Sequence, residues 1–86
     1  MEPSNNDKMR QQLTLLLIYM NAWKEKDISG DSIYRAWKGY DFEVMDRLKE
    51  EGDIEFSKTA KSLYISQDGI RKAESLLEKL KRTKLF

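Results

Sequence analysis

The sequence predicts one small α+β domain, mostly helical, of the winged helix-turn-helix class, with three helices, a short β-hairpin and a long C-terminal helix. Two observations lead to this prediction. Apolar residues recur at helical spacing in four segments, and two short β-prone segments with a polar turn between them precede the last of these. The resulting order, helix-helix-helix-strand-strand-helix, is typical of winged helices.

The N-terminal third predicts a flexible lead-in over residues 1–6, before a single domain over residues 7–86. A first helix is expected over residues 7–26, since one apolar face recurs at three- and four-residue steps: Met9, Leu13, Leu16, Leu17, Met20 and Trp23. A second apolar face consists of Leu15, Ile18, Tyr19 and Ala22. A helix apolar on two sides is buried on two sides. The second face is therefore a candidate homodimer interface, unless the final helix covers it.

Two shorter helices are expected next, and together they would form the helix-turn-helix. Residues 27–31 predict a turn, residues 32–38 a helix, and residues 42–51 a third helix that Asp41 caps. Gly39 and Gly52 suit the left-handed position just after a helix end. Two helices joined by a short glycine-containing turn match the motif.

The C-terminal third predicts a hairpin followed by a helix. Residues 54–56 and 63–65 are β-prone, and the polar segment 57–62 between them would be the wing. Ser66 is expected to cap the last helix, in which Ile70, Ala73, Leu76, Leu77 and Leu80 keep the helical period. Residues 53–86 hold eight basic and five acidic side chains, against four and six in residues 31–52. Cations near a helix C-terminus favour its dipole.

Two resemblances support this fold. The stretch 47–54, Arg-Leu-Lys-Glu-Glu-Gly-Asp-Ile, followed by 61–69, Lys-Ser-Leu-Tyr-Ile-Ser-Gln-Asp-Gly, resembles winged-helix transcription regulators of the MarR and PadR kinds. The stretch 35–41, Arg-Ala-Trp-Lys-Gly-Tyr-Asp, resembles the Arg-Ala-Trp-Lys-Gly-x-Asp signature of a family of small uncharacterised bacterial proteins. That likeness covers roughly residues 33 to 80 and implies a fold rather than an activity. Asp53 replaces the apolar residue usual in relatives, so we expect a more exposed entry to the hairpin.

The composition argues against catalysis and against common metal centres. The chain has no histidine and no cysteine, so it lacks the most frequent general base and the thiolate and imidazole ligands of zinc sites. No cofactor, no metal and no enzymatic activity are expected. The apolar run from Leu15 to Met20 is far shorter than a bilayer-spanning helix requires. With no signal-peptide pattern either, we expect no membrane partner and a cytoplasmic location.

Nucleic-acid binding is the main alternative that the predicted fold raises. Its candidate contacts are the cations of the helix-turn-helix and of the wing: Arg35, Lys38, Arg47, Lys49, Lys58 and Lys61. The would-be recognition helix, however, carries Glu43, Asp46 and Glu50, which oppose phosphate. Two interpretations are open for Trp37, Tyr40 and Phe42: a surface platform for docking or base stacking, or part of the core. The core interpretation is favoured, and Tyr40 is expected to be the most exposed of the three.

These observations lead to two hypotheses about function. The first is a non-enzymatic winged-helix interaction module, homodimeric and of regulatory role, whose partner is a second copy or another protein. The second is a DNA-binding transcriptional regulator that uses helix 42–51 and the wing at 57–62. The acidic helix favours the first hypothesis, because phosphate neutralisation supplies much of the affinity for DNA.

Overall fold

A four-stranded antiparallel sheet and three helices make up the part of the chain that the computed structural model describes, residues 5–83. The elements are α1 (Asn5–Asn21), β1 (Trp23–Lys26), β2 (Ser32–Trp37), α2 (Phe42–Glu50), β3 (Ile54–Glu55), β4 (Ser62–Ile65) and α3 (Gln67–Arg82). The strand order is β1-β2-β4-β3. The predicted α+β class, mostly helical, is confirmed. Of the predicted lead-in, residues 1–4 lie outside the described residues, and residues 5 and 6 begin α1.

The second half of the chain follows the predicted elements closely. Asp41 caps α2, because its carboxylate accepts a hydrogen bond from the Val44 N–H at 3.1 Å. Ser66 caps α3, since its hydroxyl accepts from the Gly69 N–H at 3.0 Å. Both caps satisfy backbone donors that a helix start leaves unpaired. Gly52 has a φ of 80°, so the left-handed position predicted for it is confirmed.

The first half differs from the prediction in two elements. The first helix ends at Asn21 rather than Lys26, and the side-chain amide of Asn21 donates to the Leu17 carbonyl at 3.0 Å. The helix predicted over 32–38 is wrong, because residues 32–37 form β2 and pair with a strand on each side. The predicted helix-turn-helix is therefore not formed. Gly39 follows a strand and has no positive φ, so its predicted left-handed position is wrong as well.

A tight connection between β1 and β2 explains why these residues form a hairpin. The Asp27 N–H donates to the Asp31 carbonyl at 2.9 Å, and the Asp27 carboxylate accepts from the Asp31 N–H at 3.0 Å. Gly30 supplies a φ of 90° that other residues rarely adopt. Residues 32–37, Ser-Ile-Tyr-Arg-Ala-Trp, are rich in β-branched and aromatic side chains, which suit a pleated surface.

The core lies between one face of the sheet and the three helices. It consists of Leu15, Ile18, Ala36, Val44, Met45, Leu48, Ile54, Leu63, Ile65 and Ala73. The strand register accounts for the sheet's share, because Ala36 pairs with Leu63 and Ile54 with Ile65. Partners in register share a face, and alternate residues point to the other one. The opposite face of the sheet therefore carries a different set of side chains.

Candidate binding surface on the open face of the sheet

The outer face of the sheet, turned away from the three helices, carries the most unusual set of exposed side chains. In register, Trp23 pairs with Arg35, Arg35 with Tyr64, and Tyr64 with Glu55. The core side chains of the described helices pack against the opposite face, and α3 only borders this one, where Gln67 and Ile70 line a groove with Arg35 and Tyr64. We define the outer face by these four residues together with Glu25, Ile33, Trp37 and Ser62.

Two tryptophans form the aromatic centre of the outer face. The rings of Trp23 and Trp37 lie 4.9 Å apart between centroids, tilted by 48°. Trp37 is 65% exposed and Tyr64 is 41% exposed. The interpretation of Trp37 as core is therefore wrong, because β2 turns its last side chain outward. Phe42 is 76% exposed at the start of α2, so its core interpretation is wrong too. Tyr40, expected to be the most exposed of the three, instead packs against the core.

Arg35 lies in the middle of the outer face and contacts the strands on both sides of it. Its Nε lies 2.9 Å from Glu25 Oε2, and its Nη1 donates to the Ser62 hydroxyl at 3.5 Å. These contacts join β1, β2 and β4 through one side chain. Arg35 and Tyr64 line two neighbouring grooves, of about 350 Å³ beside the β3–β4 turn and about 500 Å³ beside the β1–β2 turn.

The end of the sheet beside the β3–β4 turn is basic and aromatic. Lys38 Nζ donates to the Ser57 carbonyl at 2.9 Å, and Lys49 Nζ donates to the Phe56 carbonyl at 2.8 Å. The same two ammonium groups lie 4.6 and 4.7 Å from the centroid of the Phe56 ring. Such cation–π contacts stabilise the lysine side chains and the ring in these positions. The Lys38 N–H also donates to the Lys61 carbonyl at 3.0 Å, which brings the β3–β4 turn against the end of β2.

The structure thus brings together most of the cations that the sequence singled out. Arg35 lies on β2, Lys38 follows it, Lys58 and Lys61 lie on the β3–β4 turn, and Lys49 reaches that turn from α2 through its hydrogen bond to the Phe56 carbonyl. Arg47 lies on α2, outside this group. Sequence reasoning raised a surface role for Trp37 but favoured the core, and it did not consider Trp23 or Tyr64 as surface residues. In a strand, residues 33, 35 and 37 point to one face and residues 34 and 36 to the other. Interpreting this segment as a strand would have used that signal.

The predicted dimer face of α1 belongs to the core of a single chain. Leu15 is 2% exposed and Ile18 is fully buried, and Tyr19 and Ala22 pack against the same core. Leu15 and Ile18 are not free to contact a second copy, because the core already covers them, and Tyr19 and Ala22 are half-buried beside them. The exposed face of α1 is the other one, and we name it the α1 stripe: Met9, Leu13, Leu17 and Met20.

A second cavity, of about 390 Å³, lies between α1, α2 and α3 and contains a buried carboxylate. Asp53 is 1% exposed, so the expectation of an exposed residue there is wrong. Its Oδ1 lies 2.9 Å from Lys72 Nζ, the one partner of that oxygen among the described residues. Hydrogen bonding to Asp53 raises the pKa of Lys72 above its ordinary 10.5. Opposite them, the buried Gln11 donates to Glu51 at 2.6 Å. The two contacts tie residues 51–53, which follow α2, to α1 and α3, and we interpret them as structural, since ion pairs also occur where no ligand binds.

Two further groups of observations concern ligands and membranes. Within residues 5–83 there is no cluster of three or more Asp, Glu, His or Cys side chains suited to a metal ion. None of the helices in that range has the length and apolar character to cross a membrane.

Comparison with known proteins gives a family but no activity. A family described as a domain of unknown function, DUF6429, matches residues 5–83. The chain is 41% identical over 46 residues to "Uncharacterized protein y4hR" of Sinorhizobium fredii, an alignment that spans 52% of this chain and 62% of that relative. No solved structure matches. The predicted resemblance to an uncharacterised family, with a bacterial relative, is supported in this coarse form.

Proposed function

We infer function from the surface itself, because the chain belongs to the DUF6429 family, whose description names no activity. We propose that it is a non-enzymatic interaction module whose binding surface is the outer face of the sheet. Regulation through a partner fits such a module. The lack of histidine and cysteine supports a non-catalytic role.

The single observation that carries the proposal is the exposure of Trp37 on a face without a helix. Tryptophan has a large apolar surface, and leaving it in water forgoes the hydrophobic stabilisation that burial supplies. Beside it lie Tyr64 and Arg35. Tryptophan, tyrosine and arginine are the residue types enriched in binding hot spots. The outer face therefore has the composition of an interface core.

We also propose that the module is a homodimer, with the α1 stripe as the contact. The four stripe residues are each about half exposed. Residues 11–22 contain no charged side chain, although 36% of the whole chain is charged. An uncharged surface meets its own copy without repulsion, as a two-fold interface requires.

In-cell photo-cross-linking tests the proposal while leaving the identity of the partner open. A benzophenone amino acid would replace Trp37 or Tyr64 in one pair of variants, and Glu43 or Asp46 on α2 in a control pair. We expect a discrete adduct from the two sheet positions and none from the α2 positions. Adducts of equal yield at all four positions, or at none, would contradict the proposal. Digesting the adduct with protease or nuclease then reports the class of the partner.

A further inference from the structure

We propose that the outer face of the sheet binds single-stranded nucleic acid, with bases stacked on Trp37 and Tyr64. This inference rests on the proposed function, because it names the partner of that same surface. Phosphates would be held by the basic side chains that border the face, Lys38, Lys58 and Lys61.

The charge of the two central strands favours an anionic partner. Residues 32–40 and 56–66 cover β2, β4 and their connections, and they contain four cations and no acidic residue. The acids of the outer face, Glu25 and Glu55, lie on the edge strands, where each is paired with a cation, Arg35 at 2.9 Å and Lys49 at 3.4 Å. Lys58 and Lys61 are exposed on the turn. A local excess of positive charge of this kind attracts phosphate.

The aromatic rings favour a partner with planar groups. Trp37 pairs with Ser62, so Tyr64 is its diagonal neighbour on the next strand. Diagonal neighbours lie about 7–8 Å apart, which is too far for one base to cover both rings. Each ring is therefore placed to stack on a base of its own. The Trp23 ring lies 4.9 Å from the Trp37 ring between centroids and is tilted by 48° to it. Aromatic platforms bordered by cations are typical of proteins that bind single strands.

The position of the acidic residues favours a single-stranded partner over a duplex. Bases stack on protein side chains only when they are not already stacked within a duplex. Groove reading would instead use a helix, and α2 exposes Glu43, Asp46 and Glu50. Those carboxylates repel phosphate. An acidic peptide would suit the lysines but would leave the Trp37 ring without a planar partner, so we treat it as a competing outcome of the test.

The test is a fluorescence titration of the full chain with a labelled single-stranded 12-mer at low salt. We expect a dissociation constant in the micromolar range, as is usual for binding without sequence preference. Trp37→Ala should weaken binding by about tenfold, because one stacked base contributes about 1–3 kcal/mol. Trp37→Phe, which keeps a ring, should recover part of the loss. Phe42→Ala, which removes an exposed aromatic ring at the start of α2 and outside the outer face, is the matched control and should have no effect.

The lysines are tested by salt dependence. Lys58→Ala with Lys61→Ala should lower the slope of log affinity against log salt by about 1.4, or about 0.7 for each phosphate contact on a single strand. Lys79→Ala with Lys81→Ala on α3 is the control for net charge and should leave binding unchanged. Circular dichroism of every variant ensures that losses are not due to unfolding.

Four results would overturn the inference. These are no binding below about 100 µM at low salt, equal binding by wild type and Trp37→Ala, tighter binding to duplex than to single strand, and tighter binding to polyglutamate than to the 12-mer. A protein adduct at Trp37 in the cross-linking experiment would also overturn it, while leaving the proposed function intact. No adduct at either sheet position would instead remove the proposed function.

Discussion

Position 69, in the first turn of α3, requires glycine because a neighbouring chain segment approaches it closely. A Cβ at this position would lie 2.1 Å from the Asp53 carbonyl oxygen and 2.8 Å from Ile65 Cγ2. That carbonyl also accepts hydrogen bonds from the Ser66 N–H at 3.0 Å and the Ser66 hydroxyl at 3.1 Å. The backbone of Asp53 is thereby fixed against the start of α3 and has little freedom to move away.

Gly69→Ala should therefore lower the free energy of unfolding by about 3 kcal/mol, the upper end of the range for overpacking. The matched control is Gly39→Ala, since Gly39 has open space around it and no positive φ. Urea denaturation of both variants measures the difference. Equal midpoints would show that α3 shifts to accommodate the methyl group.

The buried carboxylate of Asp53 depends on Lys72. Lys72→Met should lower the free energy of unfolding by about 1–3 kcal/mol, because an unpaired buried charge keeps its desolvation cost. The lysine side chain is half exposed, so water moderates the loss. Adding Asp53→Asn to Lys72→Met should restore part of the stability, and a double-mutant cycle measures the coupling. Additive losses would show that the pair does not interact.

The same ion pair predicts a dependence on alkaline pH. The pKa of Lys72 is raised in the folded chain, so its contribution to stability is complete below the unfolded value near 10.5 and is lost as pH rises through the higher folded value. Burial also raises the pKa of Tyr19, which acts in the same direction. Lys72→Arg separates the two, because arginine stays charged. Its urea midpoint should fall less than that of wild type above pH 10.5, and parallel curves would contradict the assignment.

At the scale of elements, prediction succeeded where local signals agreed and failed where tertiary pairing decided. Caps at Asp41 and Ser66 mark α2 and α3 in the sequence, and both are observed. Residues 32–38 carry an apolar stripe of helical spacing and also β-prone side chains, and short apolar segments of this kind are ambiguous. Pairing with β1 and β4 decides in favour of a strand. A single sequence does not contain that information.

The two faces of α1 were interchanged for a related reason. Both faces are apolar, and periodicity alone does not say which one meets the sheet. The face that holds Leu15 and Ile18 is buried, which leaves the α1 stripe exposed. Whether an apolar face is core or surface depends on the elements packed against it, and β1 and β2 were not expected there.

A charge in the α1 stripe should separate the proposed dimer. Leu17→Glu should give a folded monomer by light scattering at high micromolar concentration, because a carboxylate without a partner is strongly disfavoured in an apolar interface. Ile28→Glu, a similar change at a fully exposed turn position, is the control and should remain dimeric. Ile18→Glu should unfold the chain instead, since Ile18 has no exposed surface. A monomeric wild type would contradict the dimer.

At the scale of the whole molecule, the sheet separates two layers with different roles. Its inner face and the helices contain the core, and its outer face carries aromatic residues from β1, β2 and β4 around Arg35, with the lysines of the β3–β4 turn at its border. Sequence reasoning found the cations individually, because charge is visible in a sequence. It favoured the core for Trp37 and did not consider Tyr64, because the exposure of Trp37 follows only from the strand pairing and the side on which the helices pack.

This division predicts that equally drastic truncations on the two faces have unequal costs. Leu63→Ala removes a side chain with no exposed surface and should lower the free energy of unfolding by about 3 kcal/mol. Trp37→Ala removes a larger side chain but loses mainly its contact with Trp23, so about 1 kcal/mol is expected. Urea denaturation compares them directly. If Trp37→Ala costs as much as Leu63→Ala, Trp37 is a structural residue, and its exposure gives no support to a binding role for the outer face.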